Sequence, residues 1–266
     1  IILVGDQNQL PAYADAEVSP TLAKLTKNPD YRLFDILYNS LPDTHKQILT
    51  TQYRMIENIG NLISKVFYRG IIDTGCNDDE KRHGLSRYVG KSIVWFDTSA
   101  NKKKSQKRTK GGSYINEEEK RIILEILDNL KSTGELKGLD IGIITGYSGQ
   151  KELLRKSIKA TGLDKIASKI DINTLDAFQG RENDIIIYST VRTCDSIGFH
   201  KEKERVNVAF SRAKKLLIVC GDKNFFYNFD DQDNKFVEII DYISEGEECE
   251  IIQCDGGKLF ERESNS

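Results

Sequence analysis

Four stretches of this chain combine residue types that could do chemistry: residues 5–11 (GDQNQLP), 52–55 (QYRM), 174–182 (TLDAFQGRE) and 205–214 (RVNVAFSRAK). They bring together arginines, whose guanidinium can fork onto phosphate oxygens, and amides that donate and accept without changing the local charge. They also hold carboxylates and glycines, and a glycine lets backbone approach a ligand closely. Taken singly, each stretch has a plainer meaning. Gly-Asp after a strand is often only a turn. Tyr-Arg can be an amphipathic surface pair, Gln-Gly a helix end, and Arg212 one arm of an ordinary ion pair.

The elements around these stretches alternate. Residues 1–6 (IILVGD) predict a buried strand running into a loop, apolar on both faces as in a parallel sheet covered by helices. Residues 21–41 read as helical, broken at Asn28-Pro29, and Pro42-Asp43 marks a turn. Residues 57–67 predict an amphipathic helix with Ile59, Leu62, Ile63, Val66 and Phe67 on one face. Asn116 caps a helix over 117–133 that carries acids in its first turn. Strands are expected over 92–97, 141–145, 170–173, 184–191 and 216–221, and further helices over 148–160, 204–213 and 235–244. Strand–helix alternation implies βαβ units, a parallel sheet and an α/β fold, with ligands expected at the carboxyl ends of the strands.

Composition first suggests a chain indifferent to polyanions. Its 266 residues carry a net charge of −2, with 38% hydrophobic and 30% charged residues. No apolar run approaches the ~20 residues of a membrane-spanning helix, and no membrane partner is expected. Charge by segment reads differently. Residues 228–266 hold twelve acids and three bases, a net −9, which leaves +7 on residues 1–227. Residues 101–112 (NKKKSQKRTKGG) hold six positive charges and no negative ones. Such a run is most often a solvated loop, and its functional reading is a flexible arm that contacts phosphates. The acidic end is expected to be solvated surface. The five cysteines form no CxxC pair and no metal site is expected. Cys194 and Cys220 lie in or beside apolar strands and are expected to be buried thiols. No signal peptide is visible, so an intracellular, cytoplasmic setting is expected, or a nuclear one in a eukaryote.

In their order along the chain, the four stretches resemble motifs III, IV, V and VI of superfamily 1 helicases. The resemblance is to subclass B, among relatives of the nonsense-mediated decay RNA helicase and senataxin. Residues 64–70 (SKVFYRG), 111–119 (GGSYINEEE) and 141–150 (IGIITGYSGQ) add similar stretches between the motifs, so that the likeness runs to about Asp222. It implies a RecA-like P-loop NTPase fold with helices on both faces of the sheet. It also implies an ATP-dependent 5′-to-3′ helicase that uses ATP and Mg²⁺ and binds single-stranded DNA or RNA. By the same resemblance Arg54 and Arg212 are the arginines that stabilise the transferring phosphate. Gln9 senses it and orients water. Tyr53 stacks on adenine, Gly180 lets the backbone approach the nucleotide, and Glu182 accepts from the ribose. Thr145 and Thr174 match the turns that hold nucleic-acid phosphates, contacts that read backbone rather than sequence. Two positions depart from the pattern: Gly146 stands where the family has proline after Thr145, and Ala12 replaces a second proline.

The sequence contains no Gly-x-x-x-x-Gly-Lys-[Ser/Thr] P-loop. Residues 1–45 are therefore expected to be the last strand and helix of a first RecA-like domain. Residues 46–266 are expected to be a second, complete one, ending in the acidic segment. The chain is expected to be the C-terminal portion of a helicase, inactive in ATP hydrolysis without the missing N-terminal domain. The alternative is a non-catalytic RecA-like module that binds nucleic acid or protein.

Overall fold

Alternation of helix and strand along this chain produces one parallel sheet with a helical layer on each face. The structure, a computed structural model, describes residues 2–10, 33–167 and 169–260. Its strands are β1 (Thr51–Gln52), β2 (Asp73–Thr74), β3 (Ile93–Asp97), β4 (Lys107–Arg108), β5 (Tyr114–Ile115), β6 (Asp140–Thr145), β7 (Lys169–Thr174), β8 (Asn183–Ser189), β9 (Ala213–Gly221) and β10 (Cys249–Gln253). The helices are α1 (Leu33–Ser40), α2 (Glu57–Tyr68), α3 (Asp78–Lys81), α4 (Glu117–Thr133), α5 (Ser148–Ala160), α6 (Lys203–Phe210), α7 (Lys223–Tyr227) and α8 (Phe236–Glu245). Six strands join in the order β10-β3-β9-β8-β6-β7, every neighbour pair parallel.

Two-residue periodicity divides the core. Along β8, Ile186 and Tyr188 face one layer, where α2, α6 and α8 contribute Leu62, Phe210 and Ile239. Ile185 and Ile187 face the other, against Ile122, Ile126 and Leu154 of α4 and α5. Strands buried on both faces are what crossover helices require. Each such side chain stabilises the fold by about 1.5–3 kcal/mol through its removal from water. The cap on α4 forms as its sequence predicts: the Asn116 side chain accepts from the amides of Glu118 and Glu119, both at 3.1 Å, and Gly134 closes the helix at φ 68°.

The structure differs from the sequence reading in several places. Residues 2–5 form no strand, and Ile2 and Val4 are 90% and 89% exposed. A parallel strand exists only through hydrogen bonds to a neighbour, and no described strand pairs with this segment. Of the helix expected over 21–41, only Leu33–Ser40 is described; its earlier part and Ala12 lie outside the described residues. The acidic end is not merely solvated surface. It supplies α8 and an unforeseen edge strand, β10, whose Glu250 and Ile251 pair with Val94 and Trp95. The expected helix over 204–213 stops at Phe210, because Ala213 must already be extended to pair with Asn183. Cys220 is buried as expected, but Cys194 is exposed: β8 ends at Ser189 and the chain turns away before reaching it.

Candidate functional site

The amino ends of β8 and β9 lie side by side, and the residues just before them, Glu182 and Arg212, meet there. Arg54 arrives from the turn after β1. That turn is shaped by the Gln52 side chain, whose Oε1 accepts from the amides of Arg54 (2.9 Å) and Met55 (2.8 Å) and whose Nε2 donates to Thr74 Oγ1 (2.8 Å). Gly60 makes room for it, since a Cβ there would lie 2.7 Å from Gln52 Nε2. The Ile56 amide donates to the Lys214 carbonyl at 2.8 Å and ties the turn to β9. Lys81 Nζ donates to the carbonyls of Tyr53 and Arg54.

Within this cluster Arg54 Nε donates to Glu182 Oε2 at 2.6 Å and Nη1 to the Ser211 carbonyl at 3.2 Å. Arg212 is 2% exposed. It donates to the Val208 carbonyl (3.0 Å), the Arg181 carbonyl (3.2 Å) and Gln9 Oε1 (3.4 Å). Among the described residues no carboxylate lies within ion-pair distance of Arg212. Burial and the neighbouring Arg54 charge pull its pKa down to about 10. Gln9 is oriented in turn by Asp6, whose Oδ2 accepts from Gln9 Nε2 at 3.0 Å and from the Tyr68 hydroxyl at 2.5 Å. Burial first, then Asp6, raises the Tyr68 pKa well above its usual value, so the phenol stays a donor. Asn207 Nδ2 completes the chain, donating to the Tyr68 oxygen at 2.9 Å and the Asn8 carbonyl at 2.6 Å.

Of the residues singled out in the sequence, Gln9, Arg54, Glu182 and Arg212 are thus brought together. Gly180 lies two residues before Glu182 in a turn at φ 81°, a conformation suited to glycine. Tyr53 is 69% exposed, and its ring lies against Gly75 rather than over the arginines. Thr145 and Thr174 are elsewhere: they pair in register at the carboxyl ends of β6 and β7. Thr145 is fully buried, and its hydroxyl accepts from the Tyr147 amide at 3.4 Å. Thr174 is half-buried. The Phe199 ring covers Gly146, where a Cβ would be 3.4 Å from it. The candidate residues therefore occupy two edges of the sheet. The threonine turns lie at the carboxyl ends, where ligands were expected, whereas the arginine cluster lies at the amino ends.

Sequence reasoning did not single out Asp6, Tyr68 and Asn207, although all three lie inside the stretches quoted above. Asn207 carried a signal of its own: a buried helical asparagine among apolar neighbours needs partners. No group of three or more His, Cys, Asp or Glu side chains among the described residues could hold a metal ion.

A family model described as an AAA domain matches residues 30–224. The chain belongs to that family. This AAA domain is 31% identical over 259 residues to an uncharacterized ATP-dependent helicase of Methanocaldococcus jannaschii, covering 93% of this chain and 35% of that protein. It is 34% identical over 232 residues to Helicase SEN1 of Saccharomyces cerevisiae, covering 83% of this chain and 10% of that protein. With a regulator of nonsense transcripts 1 homolog of Neurospora crassa it shares 30% identity over 230 residues, 84% of this chain and 20% of that one. The chain thus spans about a third or less of these relatives. The likeness is to helicase domains of the nonsense-decay and senataxin type. A solved C-terminal domain described as that of a possible DNA helicase from Lactobacillus aligns over 64% of this chain and 88% of that one, with 14% identity and a TM-score of 0.39. No described helix is long and apolar enough to cross a membrane.

Proposed function

We propose that this AAA domain is the second RecA-like half of an ATP-dependent helicase and supplies the arginines that act on ATP held by a partner domain. Residues 46–266 are that half in this reading, and residues 1–45 belong to the first. The observation that carries it is Arg212: an almost fully buried guanidinium with no carboxylate counter-ion among the described residues, a few ångströms from Gln9 and beside a second arginine. The hydrogen bonds of Arg212 go to neutral oxygens, with Glu182 and Asp6 acting only at longer range; a buried charge with no contacting anion is costly, and a phosphate oxygen would supply one. ATP supplies the phosphoryl group whose transfer spreads charge over its oxygens, and guanidinium groups stabilise that charge.

In this reading Glu182 holds Arg54 in reserve until nucleotide arrives, then accepts from the ribose. Gln9, aligned by Asp6, presents its amide to the terminal phosphate. Tyr53, exposed at the rim, is free to stack on a base. The magnesium ligands are assigned in this reading to the partner domain that carries the P-loop. The turns after β6 and β7, with Thr145 and Thr174, form part of the single-strand path, and travel is 5′ to 3′ by family likeness.

The experiment compares Arg54→Ala and Arg212→Ala with the unaltered helicase that joins this domain to its P-loop domain. Each variant is expected to lose ~10³–10⁵ in kcat with strand affinity retained, and the isolated chain is expected to hydrolyse no ATP above background. Turnover that survives either substitution refutes the assignment.

A further inference from the structure

The basic run is not a flexible arm. Lys107–Arg108 and Tyr114–Ile115 pair as an antiparallel hairpin. Its turn closes with the Gly112 amide donating to the Thr109 carbonyl at 3.0 Å, and Gly112 lies at φ 83°. Of the six cations, Lys104 alone has a carboxylate partner among the described residues, Asp222 at 2.7 Å, and it also donates to the Ser99 carbonyl at 2.7 Å; Arg108 Nε donates only to the Gly112 carbonyl, at 3.5 Å. Lys102, Lys103, Lys107, Arg108 and Lys110 are exposed, and none has an acidic partner among the described residues.

The hairpin is fixed to the carboxyl edge of the sheet through a polar hub. Gln106 and Thr193 exchange two hydrogen bonds, amide to hydroxyl at 3.1 Å and amide to Gln106 Oε1 at 3.0 Å. Asn116 Nδ2 donates to the Lys104 carbonyl (2.8 Å) and the Val191 carbonyl (3.2 Å). Val191 lies at φ 69°, a left-handed conformation that costs a β-branched residue about 1–3 kcal/mol. The carboxyl group of Glu119, fully buried, holds it there. Both its oxygens accept from the Val191 amide (2.8 and 3.0 Å), while Ser189 donates at 2.6 Å and Thr190 at 3.2 Å. On its far side the hairpin packs on the first turn of α5. Gly149 donates to Ser113 Oγ at 3.0 Å, and the Tyr114 ring meets Tyr147 at 5.6 Å, two residues beyond Thr145.

We infer that the β4–β5 hairpin is a fixed cationic contact for the phosphates of a single-stranded nucleic acid, braced by Glu119 beside the Thr145 turn. It extends the strand path of the proposed function and rests on that reading. Three cations on the hairpin, Lys107, Arg108 and Lys110, and two in the turn just before it, Lys102 and Lys103, have no contacting carboxylate among the described residues and complement a row of phosphates. A braced hairpin presents them without the ordering cost that a flexible loop incurs on binding. Glu119 touches no ligand in this arrangement and is a positioning residue.

The test measures binding of labelled oligo(dT) and oligo(U) to the whole chain across a salt series, with polyglutamate as competitor. In one variant Lys102, Lys103, Lys107, Arg108 and Lys110 become Ser or Gln. Its slope of log affinity against log salt is expected to shallow by ~0.7 for each phosphate that is no longer neutralised, by about 3.5 for all five. A second variant, Glu119→Gln, keeps every cation. It is expected to lose several-fold affinity, with faster amide exchange over residues 106–115. Val191→Gly in that background is expected to restore both, because glycine adopts the left-handed turn without the clamp. No binding by the unaltered chain removes the inference together with the strand-path reading. Binding whose affinity and salt slope survive the five replacements removes the inference alone, as does polyglutamate competing as well as oligonucleotide. Unchanged exchange and affinity in Glu119→Gln refute the brace.

Discussion

Replacing His200 tests how the layer beneath α6, the helix that precedes Arg212, is held. His200 is 2% exposed and surrounded by Tyr188, Phe226 and Phe236, with ring centroids 5.7, 5.0 and 5.5 Å away. Its Nδ1 lies 2.6 Å from the Ile197 carbonyl. A carbonyl can only accept, so Nδ1 carries the proton and Nε2 is left as a bare acceptor with no partner among the described residues. A second proton would put a charge at Nε2 among aromatic rings. Burial accordingly lowers the pKa from 6.5 to about 4. The unfolded chain binds this proton below pH 6.5 and the folded chain only near pH 4, so acidification through that window favours unfolding. A displacement of this size corresponds to ~3 kcal/mol. Glu119 acts in the opposite sense: burial, opposed by its hydrogen bonds, raises it from 4.5 to about 8. Its contribution is full below pH 4.5 and is lost as pH rises through 8. Stability of the unaltered chain is therefore expected to rise from pH 8 to 6.5; below 6.5 the gain from Glu119 is offset by His200, and His83, which burial also lowers, tips the balance toward loss. Urea unfolding of the chain and of His200→Phe at each pH isolates the histidine. The difference between the two curves is expected to change by ~3 kcal/mol between pH 6.5 and 4. A constant difference across that range refutes the neutral, orphaned imidazole.

Three further outcomes are expected. Tyr68→Phe removes the donor to Asp6 and leaves a partly buried carboxylate short of one bond. A stability loss of about 1–3 kcal/mol is expected in urea unfolding, and a loss below 0.5 kcal/mol would show that the Asp6–Tyr68 contact is dispensable. Asn116→Ala removes the cap of α4 and both carbonyl contacts of its amide, and is expected to cost at least ~1 kcal/mol and to loosen the hairpin in amide exchange. Glu182→Gln breaks an ion pair whose side chains are 35% and 46% exposed. Its expected effect on stability in urea unfolding is within about 1 kcal/mol, while nucleotide affinity of the whole helicase changes measurably; a larger stability loss would make the pair structural.

The strands and helices that were legible in the sequence are those whose pattern is set by burial on both faces. The Ile-rich run of β8, the capped α4 and the amphipathic α2 follow from periodicity and end signals. β10 was not legible: Cys249–Gln253 is a short edge strand inside an acid-rich segment, and only its backbone pairing with β3 distinguishes it from loop. Arg54, Arg212, Gln9 and Glu182 were legible as a set through the ordered motifs, but their convergence is tertiary. It depends on Glu182 and Arg212 each preceding a strand and on those strands being neighbours. The hairpin was obscured by its own composition, since a run of lysines reads as solvated, whereas its docking depends on Gln106 and Thr193, neutral residues with no pattern of their own, and on a second role of the Asn116 cap.

β8 is buried at all seven of its positions. At ~3.3 Å per residue it spans roughly 20 Å between Glu182 at one end and the Val191 turn at the other. A strand packed on both faces and hydrogen-bonded on both sides resists bending and stretching. Mechanically it is a strut, with a nucleotide-facing candidate group at one end and a strand-facing one at the other. A push at either end is transmitted as displacement of the whole sheet. In the function proposed above, a step along a strand is a rotation of this sheet as a rigid body, with the compliance located outside it.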